Sequence, residues 1–161
     1  MTHPIDLHLH SICSDGTLSP EAVVRKARSH GLKAISLTDH DCVDGVEDAA
    51  EAGRDMDVEV IPGVELSTLF EGKDIHILGY LIDPGHPGLS GYLQIFRDER
   101  QRRAERIVGR LNQLGVGLTM EAVLSKAGDG VIGRPHIADA LLEEGFVFSV
   151  SEAFQKYLGY N

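Results

Sequence analysis

The sequence predicts an α/β chain in two parts, a βα half over residues 1–85 and an all-helical half over residues 86–161. Three observations predict it. In the first half short, mostly apolar runs alternate with helical stretches, the rhythm of parallel βα units. A turn-rich segment, Asp83-Pro84-Gly85-His86-Pro87-Gly88, then marks a change of composition. Beyond it the apolar residues recur at helical spacing.

Residues 5–9 (Ile-Asp-Leu-His-Leu) read as the first strand, and a polar loop from Ser11 to Leu18 follows. Ser19 then Pro20 starts a helix, a side-chain cap followed by a residue whose φ is already helical. Val23, Val24 and Ala27 have helical spacing within it, and Gly31 is a natural stop. Lys33 to Thr38 reads as the second strand. Asp44 is expected to cap a helix that runs to about Met56. Val58 to Ile61 forms the third strand, continuing past Pro62-Gly63 into Val64-Glu65-Leu66. Glu71-Gly72-Lys73-Asp74 reads as a turn joining residues 64–70 to Ile75–Leu81 in a hairpin. One long helix is expected from Leu89 to Leu114, with Leu93, Phe96, Ile107, Leu111 and Leu114 on one stripe. Shorter helices are expected after Thr119, from Pro135 to Glu144 and after Ser151.

A chain of 161 residues can hold one domain with a real core, or one domain and an appendage. No run of about 18 apolar residues occurs, so no membrane span is expected. No basic-then-apolar leader is visible at the start. Cys13 and Cys42 are the only cysteines, they form no CxxC, and they suit small loop residues of a reduced, cytoplasmic protein. A net charge of −10 will not draw nucleic acid through the global field, and binding to double-stranded DNA is not expected. A cation, or an anion held through a metal, remains compatible with that charge.

Polar residues at strand ends carry the chemistry. His8 and His10 lie two apart, so they share one face of the first strand. That pair alone is more often hydrogen-bonded than metal-bound. Other groups join it, however. Asp15 lies in the following loop, and Asp39, His40 and Asp41 follow the second strand. Glu65 interrupts an apolar third strand, and His76 lies between Ile75 and Ile77. An isolated ionised Glu there costs several kcal/mol unless it is paired or bound to a metal. Imidazole and carboxylate without thiolate suit zinc, manganese or iron, and six candidate ligands exceed the needs of one tetrahedral ion. His3, His30 and His86 fall outside this pattern and read as surface residues. Arg97, Arg100, Arg102, Arg103, Arg106 and Arg110 read as a solvated face, with Asp98/Arg102 and Glu99/Arg103 spaced for pairing.

The run DLHLHSICSDGTLSPEAVVRKARSHGLKAISLTDHDCVDG, then IPGVELST, then DIHILGY, resembles the PHP domain (polymerase and histidinol phosphatase). The helical half, with Gly133-Arg134-Pro135-His136-Ile137-Ala138 and Ala153-Phe154-Gln155-Lys156-Tyr157-Leu158-Gly159, is similar to the helical insertion of certain PHP phosphoesterases. Those act on nucleoside 3′,5′-bisphosphates and on the 5′ ends of short RNAs. The resemblance implies the N-terminal part of a distorted (β/α)7 barrel with a helical insertion domain. It implies two or three divalent ions, manganese first, with zinc or iron as alternatives. His8, His10 and Glu65 would hold one ion. Glu65 would bridge to a second, which His76 also ligates, and Asp15 and His40 would hold a third. Arg134 and His136 would line the substrate phosphate pocket, with His136 a candidate leaving-group acid. Asp39 and Asp41 read as groups that orient ligands or cap loops.

The implied reaction is hydrolysis of a nucleotide phosphate ester by a hydroxide shared between two ions. The implied partner is a nucleotide or a short RNA, with no membrane. Family members carry a later His and a terminal Asp-X-His that this sequence lacks, so the chain reads as a fragment of a longer polypeptide. Three alternatives stand beside this reading: a non-catalytic scaffold, as in some replicative polymerases, an inert fragment, and an amidohydrolase-type metal hydrolase. The six intact positions argue against the scaffold. Thr38-Asp39-His40-Asp41 argues against the amidohydrolase.

Overall fold

A computed structural model of the chain describes residues 4–159, so His3 lies outside the described residues. The chain divides into two compact units, the first reaching Phe96 and the second beginning at Arg97.

The first unit contains β1 (Ile5–Leu9), α1 (Pro20–Ser29), β2 (Ala34–Leu37), α2 (Val46–Met56), β3 (Glu59–Phe70) and β4 (Lys73–Tyr80). The strands form one sheet in the order β1-β2-β3-β4. The first two pairings are parallel and β3 pairs with β4 antiparallel. Ser19 caps α1 as its spacing predicts, its hydroxyl accepting the Ala22 amide at 3.2 Å. The start of α2 differs from expectation. Gly45, not Asp44, holds the cap position, with no side-chain bond. Packing decides this: a Cβ on Gly45 would lie 2.8 Å from Pro20 Cγ and 3.0 Å from Cys13 Sγ.

β3 runs unbroken through Pro62-Gly63. The turn after it is tighter than the expected four residues. Glu71 and Gly72 both have positive φ, 51° and 77°, the backbone of a two-residue hairpin turn matched to strand twist. Lys73 and Asp74 therefore belong to β4, opposite Phe70 and Leu69.

Val23, Val24 and Ala27 of α1, with Ala49 and Ala52 of α2, bury Ile35, Leu37 and Val58. The helices thus cover one face of the sheet. Side-chain alternation leaves Ser36, Thr38, Glu65 and His8 for the opposite face.

α3 (Pro87–Gln113) is a single helix, and the division between the units falls within it. The second unit continues with α4 (Met120–Ala127), α5 (Arg134–Glu143), α6 (Val150–Ala153) and a π-helical turn at Phe154–Leu158. Its core is built on Ala104, Val108, Leu111, Leu118, Val123, Ile137 and Leu141. Leu114 departs from the expected stripe and is exposed, because α3 ends before it and Gly115 turns the chain at φ 84°. The last helix starts earlier than expected, since Ser149 rather than Ser151 caps it by accepting the Glu152 amide at 3.1 Å. Among the described residues no helix is long and apolar enough to cross a membrane.

Candidate metal centre

The sheet face away from α1 and α2 gathers the predicted ligands. His8 lies within β1 and His10 just beyond it. The pairing of β2 with β3 extends past β2 through a bridge between His40 and Glu65. There the Asp41 amide donates to the Glu65 carbonyl at 2.9 Å. In β4, His76 stands opposite Ser67, one pleat along from Glu65 on the same face.

Glu65, only 4% exposed, is the hub. Its Oε2 lies 2.7 Å from His8 Nε2 and 2.9 Å from His10 Nε2, and its Oε1 lies 2.6 Å from His76 Nδ1. His40 Nδ1 stands 3.7 Å away. Asp15 closes the other side, 2.7 Å from His10 Nδ1 and 3.6 Å from His40 Nε2. The four rings form a row, with centroids 5.1 Å apart for His8–His10, 4.6 Å for His10–His40 and 4.8 Å for His40–His76.

The electrostatics follow from this crowding. Burial pulls the His10 pKa down, but the hydrogen bond and charge of Asp15, with Glu65 and Asp39, outweigh it and hold it above its ordinary value. Burial pushes Glu65 up, yet His8, His40, His76 and His10 together hold it below the usual carboxylate range. His10 shows what the centre is built for. Both its nitrogens face carboxylate oxygens, and a neutral imidazole has one N–H and one lone pair. Such a ring needs either a second proton or a cation on that lone pair.

Three groups bring ligand atoms within 4.8 Å of one another: His8, His10 and Glu65; His10, Asp15 and His40; His40, Glu65 and His76. All six predicted residues are in them. The groups overlap at His10, His40 and Glu65. A carboxylate can bridge two ions, whereas a neutral imidazole offers one lone pair. If His10 serves the first group, Asp15 and His40 remain for one further ion and Glu65 with His76 for another. With His40 beside Asp15 the donor set fits one three-ligand site and two sites with two ligands each; with His40 beside His76 it fits two three-ligand sites that share Glu65.

Asp39 and Asp41 stand behind the candidate ligands. Asp39 is buried and accepts from the Ser11 amide at 2.8 Å, the Ser11 hydroxyl at 2.7 Å and the Ser14 hydroxyl at 2.6 Å. It thereby anchors the loop that carries Asp15. Asp41, at φ 50°, accepts from the Ser67 amide and hydroxyl at 2.8 and 2.7 Å. Gly16 completes the loop, where a Cβ would lie 2.4 Å from the His10 carbonyl oxygen. Sequence reasoning missed Ser11, Ser14 and Ser67. The available signal was a pair of acids flanking His40 with no metal-ligating task of their own. Cys42 is buried beside the half-buried Cys13. The hydrogen bond with Cys42 is the main cause that lowers the Cys13 thiol to about 7; burial opposes it and Ser11 adds to it.

Arg134 and His136 lie in the second unit, in the first turn of α5. His136 Nδ1 accepts the Gly133 amide at 3.0 Å, so in the neutral ring the proton resides on Nε2. His30 and His86 are exposed.

The PHP domain family model matches residues 6–149. The chain belongs to the PHP domain family. It is 38% identical over 159 residues to a 5′-3′ exoribonuclease of Haemophilus influenzae, covering 99% of this chain and 58% of that protein. A 3′,5′-nucleoside bisphosphate phosphatase of Chromobacterium violaceum is 34% identical over 155 residues, covering 96% of this chain and 54% of the relative. The fold also matches a crystal structure from Bifidobacterium adolescentis, designated a candidate metal-dependent phosphoesterase. That match has a TM-score of 0.89 at 34% identity and covers 98% of this chain and 56% of the other. This PHP chain thus spans a little over half the length of the relatives it matches, and its sheet corresponds to part of a PHP barrel.

Proposed function

We propose that this chain forms the metal-holding part of a phosphoesterase that hydrolyses a nucleotide phosphate ester, either a 3′,5′-bisphosphate nucleotide or the 5′ end of a short RNA. The carrying observation is the three overlapping ligand groups that converge on Glu65. His8, His10 and Glu65 hold one divalent ion, Glu65 and His76 a second, and Asp15 and His40 a third, with manganese the first choice of metal. Bound there, such ions lower the pKa of water and neutralise charge on phosphoryl oxygens.

The chain's own residues do the rest. Asp39 and Asp41 hold the ligand loops through Ser11, Ser14 and Ser67, so the imidazoles need little reorganisation when a cation arrives. Arg134 offers a planar, permanently charged fork for a phosphate. His136, with its proton on Nε2, donates to a substrate oxygen and is the candidate acid for the leaving group. In this reading the four strands are the first part of a distorted (β/α)7 barrel and the second unit is a helical insertion. The two free thiols suit a reducing, cytoplasmic setting. The relatives' activities on nucleotide and RNA phosphates support the choice of substrate.

The test is phosphate release from a nucleoside 3′,5′-bisphosphate by the full-length protein with Mn²⁺, before and after His8→Ala. A loss of at least 100-fold in kcat/KM is expected. Equal rates would sink the proposal.

A further inference from the structure

The chain has two cysteines, and the fold puts them together. Cys13 lies in the loop between His10 and Asp15, and Cys42 follows Asp41 after β2. Their thiols share a hydrogen bond. Cys42 is only 1% exposed, whereas Cys13 is half-buried and open to solvent on one side. Neither belongs to any of the three ligand groups, so the metal centre leaves their chemistry unused. Stability does not account for the pairing, because a thiol is a weak donor and a weak acceptor.

The backbone on both sides is held. The Cys13 amide donates to the Ser11 hydroxyl oxygen at 3.1 Å, and Asp39 grips Ser11 and Ser14 on either side of it. Gly45 leaves the Cys13 sulfur its place, since a Cβ there would lie 3.0 Å from Sγ. Next to Cys42, Asp41 is fixed by its amide bond to the Glu65 carbonyl and by the Ser67 amide and hydroxyl. The sulfurs thus meet as positioned partners, one accessible and one shielded. That asymmetry suits oxidation in two steps, with an exposed thiol attacked first and a neighbouring thiol resolving it.

We propose that Cys13 and Cys42 form a reversible oxidation site, closed to a disulfide by hydrogen peroxide, and that closure weakens the hold of Asp15 and His40 on an ion. The thiol pair stands by itself, and its effect on an ion rests on the metal-centre reading above. In the first step the Cys13 sulfur attacks one peroxide oxygen and the O–O bond breaks. The other oxygen leaves as water with the thiol proton, and Cys13 becomes a sulfenic acid. The Cys42 sulfur then attacks the Cys13 sulfur. The S–S bond forms, the S–O bond breaks, and hydroxide leaves as water with the Cys42 proton. The two sulfurs lose two electrons in all, and the peroxide gains them.

Closure reaches the metal centre because of where the sulfurs are attached. An S–S bond of about 2.0 Å is shorter than a hydrogen-bonded sulfur contact, so it draws the two loops together. Asp15 lies two residues from Cys13, and His40 two residues from Cys42. In the reduced protein Asp15 Oδ2 stands 3.6 Å from His40 Nε2, close enough to share an ion. Moving one donor against the other spoils that fit, and by linkage a bound ion opposes closure.

The experiment treats the reduced full chain in EDTA with hydrogen peroxide, blocks remaining thiols with N-ethylmaleimide, and reads intact and peptide masses. The expected product has lost two hydrogens, takes up no N-ethylmaleimide and yields a Cys13–Cys42 cross-linked peptide. Dithiothreitol reverses it. After gel filtration, Mn²⁺ titration of the oxidised chain shows one of the weaker ions bound at least fivefold less tightly, while the ion at His8, His10 and Glu65 changes less than twofold. Cys13→Ser binds Mn²⁺ like the reduced protein and does not respond to peroxide. Peroxide that leaves Cys13 as a sulfenic or sulfinic acid, or that links separate chains, overturns the proposal. So does a cross-link that forms as fast in urea-unfolded chain, since the fold then contributes nothing. Unchanged Mn²⁺ affinity after closure overturns the effect on the ion. A chain that binds no Mn²⁺ in either state refutes the metal-centre reading, while the cross-link still decides the thiol pair.

Discussion

Replacing Asp39 separates a structural brace from a bystander. Its carboxylate accepts three hydrogen bonds, from the Ser11 amide and from the hydroxyls of Ser11 and Ser14, all buried. Asp39→Ala removes every acceptor at once. A buried donor left unsatisfied costs about 1–3 kcal/mol. The Ser11 amide cannot turn away, so it incurs about 2 kcal/mol, and each hydroxyl, able to rotate, about 1 kcal/mol, for a total of about 4 kcal/mol. Asp39→Asn behaves differently. Its oxygen still accepts from the Ser11 amide and the Ser14 hydroxyl, and its NH₂ can donate to a reversed Ser11 hydroxyl. The remaining loss is that of charge assistance, about 1 kcal/mol. Urea unfolding of metal-free protein followed by far-UV circular dichroism measures both, since the chain has no tryptophan. Because the Ser11–Ser14 loop leads to Asp15, the Ala variant also loses about 10- to 100-fold in Mn²⁺ affinity. An Ala variant within 1 kcal/mol of wild type, or an Asn variant as unstable as Ala, refutes the reasoning.

Three further outcomes follow from the same geometry. Metal analysis after gel filtration finds one tightly held ion per chain, with further ions bound more weakly, because in the proposed assignment, with His40 beside Asp15, only His8, His10 and Glu65 give an ion three ligands; His8→Ala removes the tight one, and two equally tight ions in wild type contradict the assignment. In metal-free protein His10, raised above 6.5, stabilises the cluster at low pH and loses that effect as pH rises through its folded value. Glu65, lowered below 4.5, stabilises it at higher pH and loses that effect as pH falls through its folded value. The contacts are therefore strongest between about pH 4.5 and 6.5, and Mn²⁺ raises Tm more at pH 8 than at pH 5.5; equal shifts at both would contradict this. Iodoacetamide modifies Cys13 with half-maximal rate near pH 7 while buried Cys42 stays unmodified, read by peptide mass spectrometry; a midpoint near 8.5 removes the role of the Cys42 hydrogen bond.

Local signals made much of the fold legible in the chain. β1 and α1 begin where alternation, Ser19 and Pro20 place them, because caps and strand periodicity act within a few residues. The six candidate ligands were legible for a similar reason. Ionisable groups on apolar strands need a partner wherever they fold, and the structure brings all six together. Errors arose where a distant neighbour made the choice. Gly45 caps α2 because Pro20 and Cys13 crowd it, and Leu114 leaves the helix stripe because α3 ends at Gln113.

Residue order along the chain was enough to read the βα rhythm, the candidate ligand set and the family, since each rests on spacing and residue type. Three-dimensional packing chose the rest. It set which serines brace Asp39 and Asp41, which candidate ligands share Glu65, and that Arg106 of α3 reaches Glu99. Those outcomes depend on distances of a few ångströms between residues 7 to 57 positions apart, from Glu99–Arg106 to His8–Glu65. Hydrogen bonds and ion pairs fall off within such distances, so no pattern along the chain encodes them.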